Sequence, residues 1–166
     1  PAKHINALTN GMVDAQEIHD KTWKRIREMI EEETILPGVL EFIQAADKLG
    51  LPMSVASSSG YEWVEGFLTK LGIRSYFNHV CTCNDVEHVN PEPDLFLLAA
   101  KKMQLSPSEV IVFEDSPSGL RAAKSAGMLC IIVPNAITQS MDLSLADQLV
   151  TSFLELDPTN LINRYK

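Results

Sequence analysis

The chain has 166 residues, 45% hydrophobic and 22% charged, and a net charge of -8, a length that suits one domain with a real core. No lysine or arginine run exceeds a pair, so nucleic acid and anionic membranes, which are bound through clustered positive charge, are excluded as expected partners. No apolar run reaches the roughly 18 residues of a membrane span, and three cysteines, Cys81, Cys83 and Cys130, make no disulfide framework, so a reducing cytoplasm is expected.

In chain order, Asp14 and Glu17 form a capping box before a predicted helix over residues 14–32, with Ile18, Thr22, Ile26 and Met29 or Ile30 on one face. Glu31, Glu32 and Glu33 read as a solvated face, and Pro37-Gly38 breaks the pattern. A second helix turns Val39, Leu40, Ile43 and Ala46 inward and stops at Gly50. Strand and helix then alternate. A strand over residues 51–56 runs into Ser57-Ser58-Ser59-Gly60, and Trp63, Val64, Phe67, Leu68 and Leu71 mark a helix closed by Gly72. Residues 77–83 form the next predicted strand and residues 95–103 a helix after Pro93. A buried strand over 110–113 enters Glu114-Asp115-Ser116, a helix over 120–126 stops at Gly127, and 129–133 is a further buried strand. Residues 148–153 predict a last strand and 158–165 a terminal helix. This alternation implies an α/β fold, a Rossmann-like parallel sheet with flanking helices.

Ligands of such sheets bind beyond the carboxyl ends of the strands. The polar residues there are Ser57 to Ser59, the stretch from Asn84 to Asp94, Glu114 to Ser116, and Pro134-Asn135. The chain contains neither G-x-G-x-x-G nor G-x-x-x-x-G-K-[ST], which argues against dinucleotide and P-loop sites. Glu114 and Asp115 emerge side by side from a buried run, where two adjacent anions repel and resist desolvation. Magnesium, which takes one or two carboxylates together with water and phosphate oxygens, resolves that cost. Capping of the next helix is the competing reading. The serines after the first strand likewise suit either a phosphate or an ordinary helix cap.

Taken in order, these segments resemble the haloacid dehalogenase superfamily, in its phosphatase and beta-phosphoglucomutase-like branch. The family's second motif, a hydrophobic strand ending in serine or threonine, matches Val55-Ala56-Ser57-Ser58-Ser59. Its third, lysine before Pro-x-Pro-Asp, matches Asn90-Pro91-Glu92-Pro93-Asp94. Its fourth, Glu-Asp-Ser before a Gly-x-x-Ala-Ala helix, matches Phe113 through Met128 throughout. The resemblance implies that residues 37–166 form the α/β core and residues 1–36 the remnant of a helical cap. It implies a phosphatase or mutase acting on small phosphorylated metabolites, such as sugar phosphates, through an aspartyl-phosphate. Ser57 and Ser58 would bind phosphate, with Asn90 standing where the family has lysine, and Glu114 and Asp115 would hold Mg2+.

Two departures accompany the resemblance. No Asp-x-Asp occurs anywhere in the sequence, so the family's nucleophile and its acid/base partner have no counterpart here. Asn90 offers a hydrogen bond but no positive charge. Lys101 and Lys102 lie two or more helical turns further on. The chain also starts at Pro1 without a methionine. The expectation is a piece of a longer enzyme, inactive alone, whose nucleophile strand would lie between the strands ending at Ser57 and Glu114. The segment from His4 to Thr9 is short and partly polar and is not expected to replace it, so those two strands either pair directly or leave a slot for an absent segment.

A non-catalytic phosphate-binding or interaction module of the same fold is the alternative function. A receiver domain of the response-regulator type is disfavoured because its acidic pair would follow the first strand. His79, Cys81, Cys83 and His88 raise a zinc alternative, although zinc ligands more often come in pairs from turns. Buried cysteine as a small hydrophobe is the simpler reading.

Overall fold

The computed structural model describes residues 14–30 and 33–165. The chain divides into two compact units, residues 1–34 and 35–166. Within the first, helix α1 spans Ala15–Ile30. Asp14 starts it, its Oδ1 accepting the N–H groups of Gln16 at 2.8 Å and Glu17 at 3.3 Å. The Glu17 carboxylate instead meets Lys21 at 2.6 Å. Ile18 and Met29 of the expected apolar face are exposed. Glu31, Glu32 and the segment from His4 to Thr9 lie outside the described residues.

The second unit begins with α2 (Val39–Lys48), followed by β1 (Ser54–Ser57), α3 (Tyr61–Lys70), β2 (His79–Thr82) and α4 (Asp94–Met103). After these come β3 (Ile111–Glu114), α5 (Pro117–Ser125), β4 (Leu129–Ile132), β5 (Gln148–Leu149) and α6 (Pro158–Tyr165). Two departures from the expected boundaries have local causes. Helix α5 starts three residues early because Ser116 caps it and Pro117 takes its first position, where the missing N–H costs nothing. The strand expected over 148–153 stops at Leu149. Beyond it, Ser152 and Glu155 close a reciprocal capping box on a 3-10 turn over Phe153–Glu155, diverting the backbone from the ladder. Cys83 lies past the end of β2.

All strand pairs are parallel, in two sheets: β1 with β2, and β3 with β4 with β5. Side chains alternate across both. In the larger sheet, Val112, Cys130 and Ile132 face one way and pack with Phe96, Ala100, Leu120 and Ala123 of α4 and α5. Ile111, Phe113 and Ile131 face the other way, against Phe42 of α2 and Leu161 of α6. In the smaller sheet, Val55 and Val80 meet Ile43, Val64 and Leu68, while Ala56 and Cys81 meet Leu95 and Ala99. Trp63 and Phe67 are half-buried and stack edge-on at 4.9 Å, while Phe96 is buried in the core.

The same helices cover both sheets. Helix α2 sends Ile43 to the β1–β2 layer and Phe42 to the β3–β4 layer. Ala56 of β1 packs against the clusters under both sheets. Yet β1 and β3 belong to different sheets, so direct pairing of the strands ending at Ser57 and Glu114 is excluded. Among the described residues, each keeps one lateral edge without a strand partner.

Gly38 is placed by two constraints at once. Its φ is +86°, and a Cβ there would strike the backbone of Phe153 and Leu154. Only glycine accepts both the left-handed conformation and that close approach.

Candidate functional site

Strand β3 delivers Glu114 and Asp115 to the carboxyl edge of the sheet, and the register pairs Glu114 with Ile132. The two carboxylates then diverge. Glu114 Oε2 accepts the N–H of Asp115 at 2.9 Å, the N–H of Ser116 at 3.1 Å and the Ser116 hydroxyl at 3.1 Å. Ser116 Oγ in turn accepts the Gly119 N–H at 3.0 Å and caps α5. The Glu114 carboxylate lies so close to Gly119 that a Cβ on that residue would collide with it. This is the physical reason for glycine in the first turn of α5. Burial pushes the Glu114 carboxyl above its ordinary pKa, the three hydrogen bonds oppose that rise, and the charge of Asp115 adds to it.

Asp115 is exposed and takes no part in capping. Its Oδ2 accepts Asn135 Nδ2 at 2.8 Å. Among the described residues its Oδ1 carries no hydrogen bond, and every bond to the Glu114 carboxylate falls on Oε2. Neither carboxylate caps α5 directly: Ser116 does, Glu114 braces the turn, and Asp115 is exposed with Asn135 on one oxygen. Asn135 had been visible only as a polar residue at a strand end; nothing in its spacing marked it as a partner of Asp115.

At the end of β1, Ser57 Oγ accepts the Ser59 N–H at 3.2 Å, and Ser58 is exposed. The serines are not the cap of α3. Gly60 occupies that position without a side-chain bond, and the Tyr61 N–H donates instead to Asn84 Oδ1 at 2.9 Å. Cys83 N–H donates to the Ser59 carbonyl at 3.3 Å, so the loops after β1 and β2 are knitted together. Asn90 precedes a cis peptide bond to Pro91. Its Oδ1 is the buried side-chain oxygen left without a hydrogen-bond donor among the described residues, and such an atom costs free energy until a donor reaches it. Lys102 lies 3.9 Å from Asp85.

Magnesium fits this donor set in type. It requires only one or two carboxylates, the remaining positions going to water and phosphate oxygens, and the exposed Asp115 with Glu114 beside it would be the residues to hold it. Zinc does not fit. Cys81 is fully buried, and no group of three histidine, cysteine, aspartate or glutamate side chains among the described residues is arranged to hold a metal. A groove of about 250 Å³ lined by Gly38, Phe42, Phe153 and Pro158 contains none of these strand-end residues.

The sequence profile of haloacid dehalogenase-like hydrolases matches residues 3–133. YhcW of Bacillus subtilis is 37% identical over 163 residues, covering 98% of this chain and 74% of the relative. Hexitol phosphatase B of Escherichia coli is 30% identical over 149 residues, covering 89% of this chain and 67% of that enzyme. CbbY of Cereibacter sphaeroides is 33% identical over 140 residues, and the chain spans 61% of its length, less than two thirds. The crystal structure of CbbY from Rhodobacter sphaeroides with xylulose-1,5-bisphosphate superposes with a TM-score of 0.76 at 30% identity, over 87% of this chain and 67% of that one.

Proposed function

The chain belongs to the haloacid dehalogenase-like hydrolase family, and from that premise we propose that it forms the phosphate- and magnesium-binding part of a phosphatase for small phosphorylated metabolites, sugar phosphates foremost. The observation that carries this reading is the division of labour at the end of β3. One carboxylate is locked onto the backbone, and its exposed neighbour is held by a neutral amide. The substrate class follows from the relatives, a hexitol phosphatase and a protein crystallised with a sugar bisphosphate.

In this reading Asp115, with Glu114 behind it, holds the cation, which when bound neutralises charge on the phosphoryl oxygens. Ser57 and Ser58 offer hydroxyl and backbone N–H groups to the same phosphate. Asn90 presents an amide where the family resemblance implies lysine, so it orients an oxygen without neutralising it. No residue of the sequence supplies the Asp-x-Asp of the covalent route; that β1 and β3 each have one edge without a strand partner among the described residues supports a separate strand bearing it. Residues 1–36 are assigned to a helical cap and residues 37–166 to the core. The unpaired state of all three cysteines supports a reducing, cytoplasmic setting. A phosphate-binding module without turnover is favoured over an enzyme only by Asn90 and by the missing Asp-x-Asp.

Titration of the chain with orthophosphate in magnesium buffer, followed by amide NMR, tests the site. The backbone signals of Ser57, Ser58 and Asp115 should move together, and Ser57→Ala should weaken the response. Shifts confined to other regions at millimolar phosphate would contradict the assignment.

A further inference from the structure

Asn135 follows β4 in a turn whose hydrogen bonds leave its side chain one orientation. Its Oδ1 accepts the N–H groups of Ile137 at 2.8 Å and Thr138 at 3.1 Å. Its own N–H donates to Thr138 Oγ1 at 3.1 Å, its carbonyl accepts the Gln139 N–H at 3.0 Å, and Thr138 is buried. Two backbone donors identify Oδ1 as the oxygen end of the amide, because an NH2 group cannot accept them. The end that faces Asp115 Oδ2 at 2.8 Å is therefore the donor. The Val133 N–H donates to the Glu114 carbonyl at 2.9 Å, which extends the β3–β4 ladder and holds this turn beside Asp115.

The chemistry of the contact is selective. A lysine or arginine in place of Asn135 would orient Asp115 equally well, but its charge would compete with a cation for the carboxylate. A neutral amide fixes the rotamer, occupies one oxygen and leaves the full negative charge in place. Partners of this kind behind a metal ligand set both its direction and its affinity. We propose that Asn135 is a positioning residue that aims the Asp115 carboxylate at magnesium; the inference rests on the magnesium reading of Asp115 given above.

The test is a magnesium titration of the 166-residue chain by NMR, without substrate or turnover, on the parent protein, Asn135→Ser and Asp115→Asn. Serine keeps a short oxygen able to cap the turn but cannot reach Asp115. The expected result is a magnesium affinity about tenfold weaker in Asn135→Ser, with an unchanged melting temperature, and loss of the Asp115 response in Asp115→Asn. In the parent protein the Asn135 side-chain NH2 signals should shift in step with Asp115, a readout that needs no variant and survives any folding defect. If Asn135→Ser binds within twofold of the parent, or the NH2 signals stay still while Asp115 responds, the positioning role is overturned and the metal site stands. If magnesium leaves Asp115 unmoved in the parent protein, the metal reading itself falls and the proposal with it.

Discussion

Gly119 lies so close to the Glu114 carboxylate that each residue's identity depends on the other's. Alanine at position 119 would push a methyl group into the Glu114 carboxylate, an overpacking that costs about 1–3 kcal/mol. In a Glu114→Ala background that cost should vanish, since the obstacle is gone; urea unfolding of the four proteins in this cycle reads the coupling directly. The pH dependence of stability should also carry the mark of Glu114. Burial raises its carboxyl pKa above the unfolded value, so between the two values the native state holds more protons than the unfolded one. Its contribution to stability is therefore complete below the unfolded value of about 4.3 and is lost as pH rises through the folded value. Glu114→Gln should remove that decline, and equal slopes for the two proteins on the neutral side would count against it. Asp85 is of the opposite kind. The Thr82 N–H and hydroxyl bonds to its carboxylate, at 2.8 and 3.1 Å, hold its pKa low. Its contribution is present above the ordinary aspartate value and is lost as pH falls through the lowered one.

Between elements, one carboxylate ties α5, β4 and the turn before β5 together. Asp147 Oδ2 accepts both Lys124 Nζ of α5 and the Cys130 N–H of β4, each at 2.7 Å. Cys130 is fully buried, and burial with the nearby charges of Glu114 and Asp147 pushes its thiol pKa up to about 12. It is therefore an inert core residue. Asp147→Ala would leave the Cys130 N–H without a partner and should destabilise the chain by about 1–3 kcal/mol, measurable as a lower urea midpoint; Asp147→Asn, which can still accept that bond, should lose less. Elements were legible in the sequence where apolar periodicity and glycine stops coincide: α2, α3, β4 and α6 lie within a few residues of their predicted bounds. Their ends were less legible because side-chain caps decide them, as Ser116 does for α5 and Ser152 with Glu155 does after β5. The role of Asn135 was hidden for a related reason. A contact spanning 20 residues of sequence leaves no local pattern, whereas the Glu-Asp-Ser segment announces itself by abutting a buried strand.

For the whole molecule, the central feature is a core whose covering helices are shared while its sheet is divided. The family resemblance implies a sheet in which another strand separates β1 from β3, and the structure keeps these two strands in different sheets under common helices. Among the described residues each has one edge without a strand partner, and a partner strand would satisfy the backbone donors and acceptors there. Joining an Asp-x-Asp strand to the chain should therefore raise its melting temperature as well as complete the chemistry. Stability alone would not separate a catalytic partner from any segment that fits the edges, but phosphate release does. The decisive measurement is magnesium-dependent orthophosphate release from a panel of sugar phosphates, by the 166-residue chain alone and by the chain joined to an upstream Asp-x-Asp-Gly-Thr strand. The account predicts no turnover by the chain alone, turnover by the joined protein, and loss of that turnover on Asp115→Asn. Magnesium-dependent turnover by the chain alone that Asp115→Asn abolishes, or turnover by the joined protein that ignores Asp115, would contradict it.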